Sequence, residues 1–208
     1  MRPCGGSQPD LLSCDHADRL LAASLQGSHG GLNGPVSFAP VEVELRDGRR
    51  VRLREIRPSD RDEVRQAFAR LSSESRYTRF MSYMKDLPPR LLDRTVTPEP
   101  ARELGLVAEV DAPDGIDLVG GARYFVQAGG KTCEFAVTVA DEWQRIGLAS
   151  RLLRELIGAA RARGLELMEG YVLAGNRGML DLARRLGFTL RADPNDPAVT
   201  IVRLRLTT

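Results

Sequence analysis

Between residues 131 and 173 an alternating run passes through a glycine-bearing loop into a long apolar-striped segment, then into a second apolar run, and few folds admit that order. From Gly147 to Arg163 the residues Leu148, Leu152, Leu156 and Ala160 recur every four positions, with Leu153 and Ile157 widening the stripe. That period marks one buried face of an α-helix, and Gly164 supplies the residue that most easily takes a left-handed stop. A strand over 131–139, this helix and a strand over 165–173 form a crossover, which makes the two strands parallel and the connection right-handed.

Upstream the chain reads as antiparallel strands and short helices. Val41 to Leu45 and residues 49–56 alternate apolar and polar side chains around Arg46-Asp47-Gly48, a hairpin signature. Pro58-Ser59-Asp60 leads into a helix over 60–71 with Val64, Phe68 and Leu71 on one face. A second helical piece covers 72–84, and Pro88-Pro89 opens a short helix to Thr95. Strands are expected at 104–111 and 117–127, the latter joined to 131–139 through Gly129-Gly130. Strands at 188–191 and 199–206 follow a helix over 177–186 that Gly187 ends. The order predicts an α/β fold, a mixed but mostly antiparallel central sheet flanked by helices. Residues 1–38, rich in Gly, Ser and Pro, read as a flexible leader. Residues 39–208 then form one domain of ordinary size.

Composition narrows the function classes. The 30 basic and 28 acidic residues are spread along the chain, so a net charge of +2 carries no nucleic-acid footprint. Cys4, Cys14 and Cys133 make an odd set without C-x-x-C spacing, so reduced thiols and no metal site are expected. No apolar run approaches the ~20 residues that a bilayer span needs, and none near the start resembles a signal peptide. A cytoplasmic protein without membrane contact is the expectation.

The stretch Thr138 to Ser150 sends a strand through a short loop into the start of the long helix. Such a junction attracts anions: unpaired N–H groups of the first turn point outward, and the helix dipole adds partial positive charge. Gly147 and Ala149 let a phosphate approach the backbone, and Ser150 offers a hydroxyl. The spacing is neither G-x-G-x-x-G nor G-x-x-x-x-G-K-[ST], so dinucleotide and nucleoside-triphosphate loops fit poorly.

Gln144-x-x-Gly147-x-Ala149 resembles the Q/R-x-x-G-x-G/A loop of the GNAT acetyltransferase superfamily. Asn176-x-x-Met179, with Leu182 and Leu186-Gly187-Phe188, resembles the second motif of the same family, and the likeness extends over roughly residues 50–206. Leu71 to Phe80 and Glu134-Phe135-Ala136-Val137 look most like the acetyltransferase domain of bacterial protein lysine acetyltransferases of the Pat type. Those relatives often carry a cyclic-nucleotide-binding or acyl-CoA-synthetase-like module, for which a leader of this length is too short, so regulation by such a module is not implied.

The resemblance implies acetyl-CoA as co-substrate and a V-shaped splay of the sheet at its site. Backbone groups of Gln144, Arg145, Ile146, Gly147, Leu148, Ala149 and Ser150 would then hold the pyrophosphate. The strand edge at Val137 and Val139 would pair with pantetheine, and Asn176 and Met179 would contact the same arm. Each residue also has an ordinary reading: Val137 and Val139 as core, Asn176 as a helix N-cap and Arg145 as a solvated charge.

Acetyl transfer to an amine needs the neutral amine, whereas a free lysine titrates at about 10.4, so a base must take a proton. Glu134 occupies the position of the catalytic glutamate in the Pat-type enzymes. A Gly129-Gly130 turn pairs Ala128 with Lys131 and sets Phe125 opposite Glu134, with Arg123 on the diagonal. Phe125 would raise the carboxyl pKa by desolvation and Arg123 would lower it. A plain Glu134–Arg123 ion pair is the competing structural reading, and Glu109 and Glu142 are fallback bases. Cys133 should face the opposite side of the sheet, in the core. The tyrosine that many relatives use as acid corresponds here to Ala183, which leaves Tyr77, Tyr83 and water open.

Three functions remain from these residues: acetylation of a protein lysine, acetylation of a small amine, and a non-catalytic acetyl-CoA sensor that would have no use for Glu134. The wall at 72–90 carries Arg76, Arg79 and Arg90 beside Glu74 and Asp86, with no acidic cluster for a polycation, which tilts the expectation toward protein. A monomer or a homodimer is compatible with the terminal strand.

Overall fold

The computed structural model describes residues 37–113 and 115–207; the leader reading falls on residues outside these apart from Ser37 and Phe38. Phe38 packs against the core and donates its N–H to Glu55. The hairpin of β1 (Val41–Glu44) and β2 (Arg50–Glu55) is followed by α1 (Arg61–Arg70), α2 (Ser73–Phe80) and α3 (Pro89–Val96). Then come β3 (Glu103–Ala112), β4 (Gly115–Val126) and β5 (Thr132–Val139), the crossover helix α4 (Leu148–Ala162), β6 (Leu167–Leu173), α5 (Arg177–Arg185), β7 (Thr189–Ala192) and β8 (Val199–Arg205). The strands form one 8-stranded sheet in the order β1-β2-β3-β4-β5-β6-β8-β7. Every neighbouring pair is antiparallel except β5 and β6, which α4 joins.

Strand alternation divides the residues of β4 and β5 between two layers. Ala122, Tyr124, Val126 and Cys133 point to the face that α4 covers with Leu148, Leu152, Leu153, Leu156 and Ile157. Each such leucine contributes roughly 1.5–3 kcal/mol on burial. The helix lies close enough to β4 that a Cβ on Gly120 would stand 3.2 Å from Leu148 and 3.3 Å from Leu152. On the other face Phe125, Glu134, Ala136 and Thr138 look toward α1, α2 and α3, whose Phe68, Phe80 and Leu91 roof a separate apolar space.

The start of α1 departs from a simple cap. Asp60 stands at the N-cap position, yet its carboxylate accepts from both terminal nitrogens of Arg54, at 2.7 and 2.9 Å, and from Arg57 N–H at 2.7 Å. Arg54 is buried, and a buried guanidinium needs carboxylates more than the helix needs a side-chain cap. Arg54 also donates to Glu109, which a second ion pair from Arg52 at 3.7 Å reaches. Glu109 is thereby committed to structure.

Candidate active site

The parallel pair is short. β5 and β6 match only from Thr132↔Leu167 to Glu134↔Glu169; beyond that β6 stays with β8 while β5 runs on to Val139. Phe135 accounts for the parting: its ring packs over Gly170, where a Cβ would lie 2.6 Å from it, and rests on Phe188 at 5.3 Å between centroids. A ring of that size between the strands prevents the ladder from closing. On the β4 side the Gln127 N–H to Thr132 carbonyl bond of 2.8 Å sets the alternation, so Val137 and Val139 turn their backbone polar groups away from β4 into the opening. Both side chains are half-buried and pack against the core.

The opening is a groove of about 970 Å³, bordered by Glu134, Val137, Val139, Gln144, Arg145, Gly147, Ala149, Ser150, Asn176 and Met179. At its floor Asp141–Trp143 form one 3-10 turn, and Arg145 (φ 63°) and Gly147 (φ 103°) adopt left-handed backbone before α4 begins. The first bond inside α4 runs from Arg151 N–H to the Gly147 carbonyl at 3.0 Å. The N–H groups of Leu148, Ala149 and Ser150 thus form the open helix end. Leu148 sends its side chain into the core at 1% exposure, so only its backbone can serve the groove. Ile146 packs against the core, and its carbonyl accepts from Arg46 N–H at 3.2 Å. Asn176 caps α5 by accepting the Met179 N–H at 3.1 Å and borders the groove as well.

Glu134 stands where this groove meets a second, apolar cavity of about 190 Å³ under α1–α3. Phe125 lies opposite it, as the turn register requires. Arg123 bonds Glu103 at 2.9 Å rather than Glu134, so the expected competing ion pair is absent. The register explains why: Glu103 pairs across β3–β4 with Phe125, one diagonal from Arg123, and captures the guanidinium first. Glu134 forms no hydrogen bond or ion pair with any described residue. Burial raises its carboxyl to about 7, the Glu169 charge adds to the rise, and Arg79 opposes both.

Glu169, Tyr171, Arg46 and Asp141 were not singled out by sequence reasoning. Glu169 is the parallel neighbour of Glu134 and is held by Gln127 at 2.9 Å and Arg203 at 3.0 Å. Tyr171 borders the groove; burial and the Glu169 and Glu134 charges raise its pKa. Arg46, in the β1–β2 turn, stands 3.6 Å from where a Gly147 Cβ would be. Only its place in a tight turn could have marked it, and a turn carries no statement about distant partners. Asp141 accepts from Ser72 N–H (2.9 Å), Ser72 Oγ (2.8 Å) and Ser75 Oγ (2.6 Å), tying the start of α2 to the loop.

Among the remaining candidates, Glu142 is exposed and only its carbonyl is engaged, by Arg49. Cys133 is fully buried, and burial pushes its thiol up to about 12, which suits a core residue and not a nucleophile. Tyr77 borders the groove and stacks on Tyr83 at 4.7 Å, while Tyr83 is 88% exposed. No group of His, Cys, Asp and Glu among the described residues is arranged to hold a metal ion, and no described helix is long and apolar enough to cross a membrane.

Comparison with known proteins bears on this geometry. The profile of the Acetyltransferase (GNAT) family matches residues 63–188. Acetyltransferase PA5475 of Pseudomonas aeruginosa is 38% identical over 175 residues, which span 82% of this chain and 94% of that protein. Acetyltransferase Pat of Mycolicibacterium smegmatis is 30% identical over 161 residues, 72% of this chain and 44% of that protein. The crystal structure of the GNAT domain of S. lividans PAT superposes with a TM-score of 0.73 at 26% identity, covering 80% of this chain and 96% of that one.

Proposed function

Because the chain belongs to the GNAT acetyltransferase family and so uses acetyl-CoA as co-substrate, we propose that it moves the acetyl group directly to a primary amine with Glu134 as general base. The observation that carries this reading is an unpartnered carboxyl group with a pKa of about 7, standing between the groove and the apolar cavity. A base with that pKa is mostly charged just above neutrality and still holds a proton well enough to accept one in the transition state.

The open N–H groups at Leu148, Ala149 and Ser150, with the loop from Gln144 to Gly147, offer donors for the pyrophosphate. The strand edge at Val137 and Val139, unpaired with β6 and, among the described residues, with only the Val139 carbonyl taken, by Gln144, matches the alternating amides of pantetheine, with Asn176 and Met179 across the groove. That arm points the thioester toward Glu134. The amine nitrogen attacks the acetyl carbonyl carbon, its proton passes to Glu134, and the backbone N–H of Val137 faces the developing oxyanion. The C–S bond then breaks and coenzyme A leaves as a thiolate that takes a proton from solvent. A thiol of pKa about 8.5 needs little acid help.

A protein lysine is the acceptor supported by the likeness to Pat. A small amine is the second reading, and the cavity beside Glu134 favours it, because a lysine side chain arriving along the groove has no need of an apolar chamber behind the base.

The test combines calorimetric titration of acetyl-CoA with release of free thiol, for wild type and Glu134→Gln, over lysine-bearing proteins and small amines. Both proteins should bind acetyl-CoA, and kcat should fall about 10²–10⁴-fold in the variant. In wild type, kcat/KM should drop as pH falls through about 7, where Glu134 gains its proton. Equal turnover by the two proteins, or a flat wild-type profile there, rejects Glu134 as the base.

A further inference from the structure

The cavity under α1–α3 has walls from Ile56, Val64, Phe68, Leu87, Leu91 and Phe125, so its body is apolar. Its volume of about 190 Å³ exceeds the roughly 150 Å³ that holds a benzene ring in an engineered core. A branched or aromatic side chain therefore fits. At its rim Arg94 and Arg123 both pair with Glu103, at 3.3 and 2.9 Å. Arg79 borders both spaces, rests on the Phe80 ring at 4.8 Å, and forms no hydrogen bond or ion pair with any described residue. Glu169, whose charge acts on Glu134, is already answered by Arg203. Two charges act on Arg79: the like charge of Arg123 and the carboxylate of Glu134, the latter close enough for each to shift the other's titration yet without pairing.

Arg79 is half-buried, and a partly desolvated guanidinium without a partner is costly unless something negative completes it, while Arg is suited to gripping a carboxylate with parallel hydrogen bonds. We propose that the acceptor is a free α-amino acid with an apolar side chain: the side chain fills the cavity, the carboxylate lies on Arg79, and the α-amine meets Glu134. This rests on the transfer at Glu134 proposed above and names its substrate class. In an α-amino acid the amine and carboxylate share one carbon, so the two polar groups need neighbouring partners of opposite character. Arg79 and Glu134 are such a pair, and the apolar walls begin directly behind them. A polyamine would bring further cations to a rim already rich in arginine. A lysine within a protein would leave Arg79 without its anion.

Thiol release at saturating acetyl-CoA tests this with L-leucine, L-methionine and L-phenylalanine against isoamylamine and phenethylamine, which lack the carboxylate, and against a lysine peptide with a blocked α-amine. The free amino acids should exceed the matching amines in kcat/KM by about 100-fold or more, since a site built for a polar group discriminates strongly against its absence. Arg79→Met should collapse that ratio toward one, chiefly through KM, and Arg79→Lys should restore part of it. Circular dichroism and thermal melting of both variants guard against misfolding. Preference for the lysine peptide or the carboxylate-free amines overturns the inference while leaving Glu134 as base intact. Acetyl-CoA binding without thiol release from any acceptor overturns both.

Discussion

The groove along the edge of β5 and the cavity under α1–α3 meet at Glu134, yet they are made in different ways. The groove is mostly backbone: the open edge at Val137 and Val139, the left-handed residues Arg145 and Gly147, and the free N–H groups that begin α4. Its parts come from one unbroken stretch, so a loop pattern at the end of a strand describes most of it. The cavity is mostly side chain, from α1, α2, α3 and three strands, and its character depends on which arginine finds which carboxylate. A backbone site tolerates side-chain change where the conformation survives, whereas a side-chain site changes specificity with a single residue. The first suits a cofactor, the second an acceptor.

The sharpest way to break this contrast is to strain the backbone half alone. Gly147 holds φ at 103°, where a β-branched residue is poorly tolerated, and an added side chain would meet Arg46. Gly147→Val should weaken acetyl-CoA binding about 30-fold or more, roughly 2 kcal/mol, as the loop leaves its left-handed conformation. Calorimetry reads the loss directly. Unchanged affinity would mean that the phosphate contacts come from side chains such as Arg46 and not from the loop backbone.

The side-chain half answers to pH. The Glu134 carboxyl is raised from 4.5 to about 7 in the folded chain, so between those values the native state keeps a proton that the unfolded chain has lost. Stability must then fall as pH rises through that window, and the cost of the buried charge is complete above 7. Glu134→Gln should therefore be more stable than wild type at pH 8, by on the order of 1–3 kcal/mol, with the gap closing toward pH 5. Urea unfolding at both pH values checks it. A variant less stable at pH 8 would show that Glu134 is held by a favourable charge partner and not left exposed to its environment.

The same division explains what could be read from sequence. The crossover, the hairpin register that sets Phe125 against Glu134, and the loop at Gln144 to Ser150 depend on local periodicity and turn chemistry, and each appears where expected. Arg123 was a different case: its distance from Glu134 was legible, but the presence of Glu103 on β3 was not, because the β3–β4 register carries a shift between Ala108 and Glu109. Glu169 was hidden for a related reason, since a parallel crossover does not specify which residues of its strands align. Fallback Glu109 failed on a long-range ion pair with Arg54, a partner 55 residues away.

One side chain belongs to both halves and gives the gentlest test of the contrast. Asp141 lies in the turn before the loop at Gln144 to Ser150 and grips Ser72 and Ser75 at the start of α2, the helix that ends with Arg79 and Phe80 beside the same cavity as Glu134. Burial works to raise its carboxyl pKa, but the bonds from Ser75 and Ser72 prevail and hold it below the usual range, so it is anionic at neutral pH. Gln144 reinforces the junction by donating to Ser75 Oγ at 3.1 Å and to the Val139 carbonyl at 3.2 Å. Removing the carboxylate in Asp141→Ala frees the N-terminal turn of α2 from the loop, at about 1 kcal/mol for exposed hydrogen bonds of this kind. If the halves communicate through this turn, KM for acetyl-CoA and for the acceptor should both rise, about three- to tenfold, with kcat little changed. A rise in only one of the two constants would mean that groove and cavity are independent units that merely share a base. The joint rise would instead identify the Asp141 turn as the hinge by which loading of the backbone-built groove sets the position of Arg79 in the side-chain-built cavity.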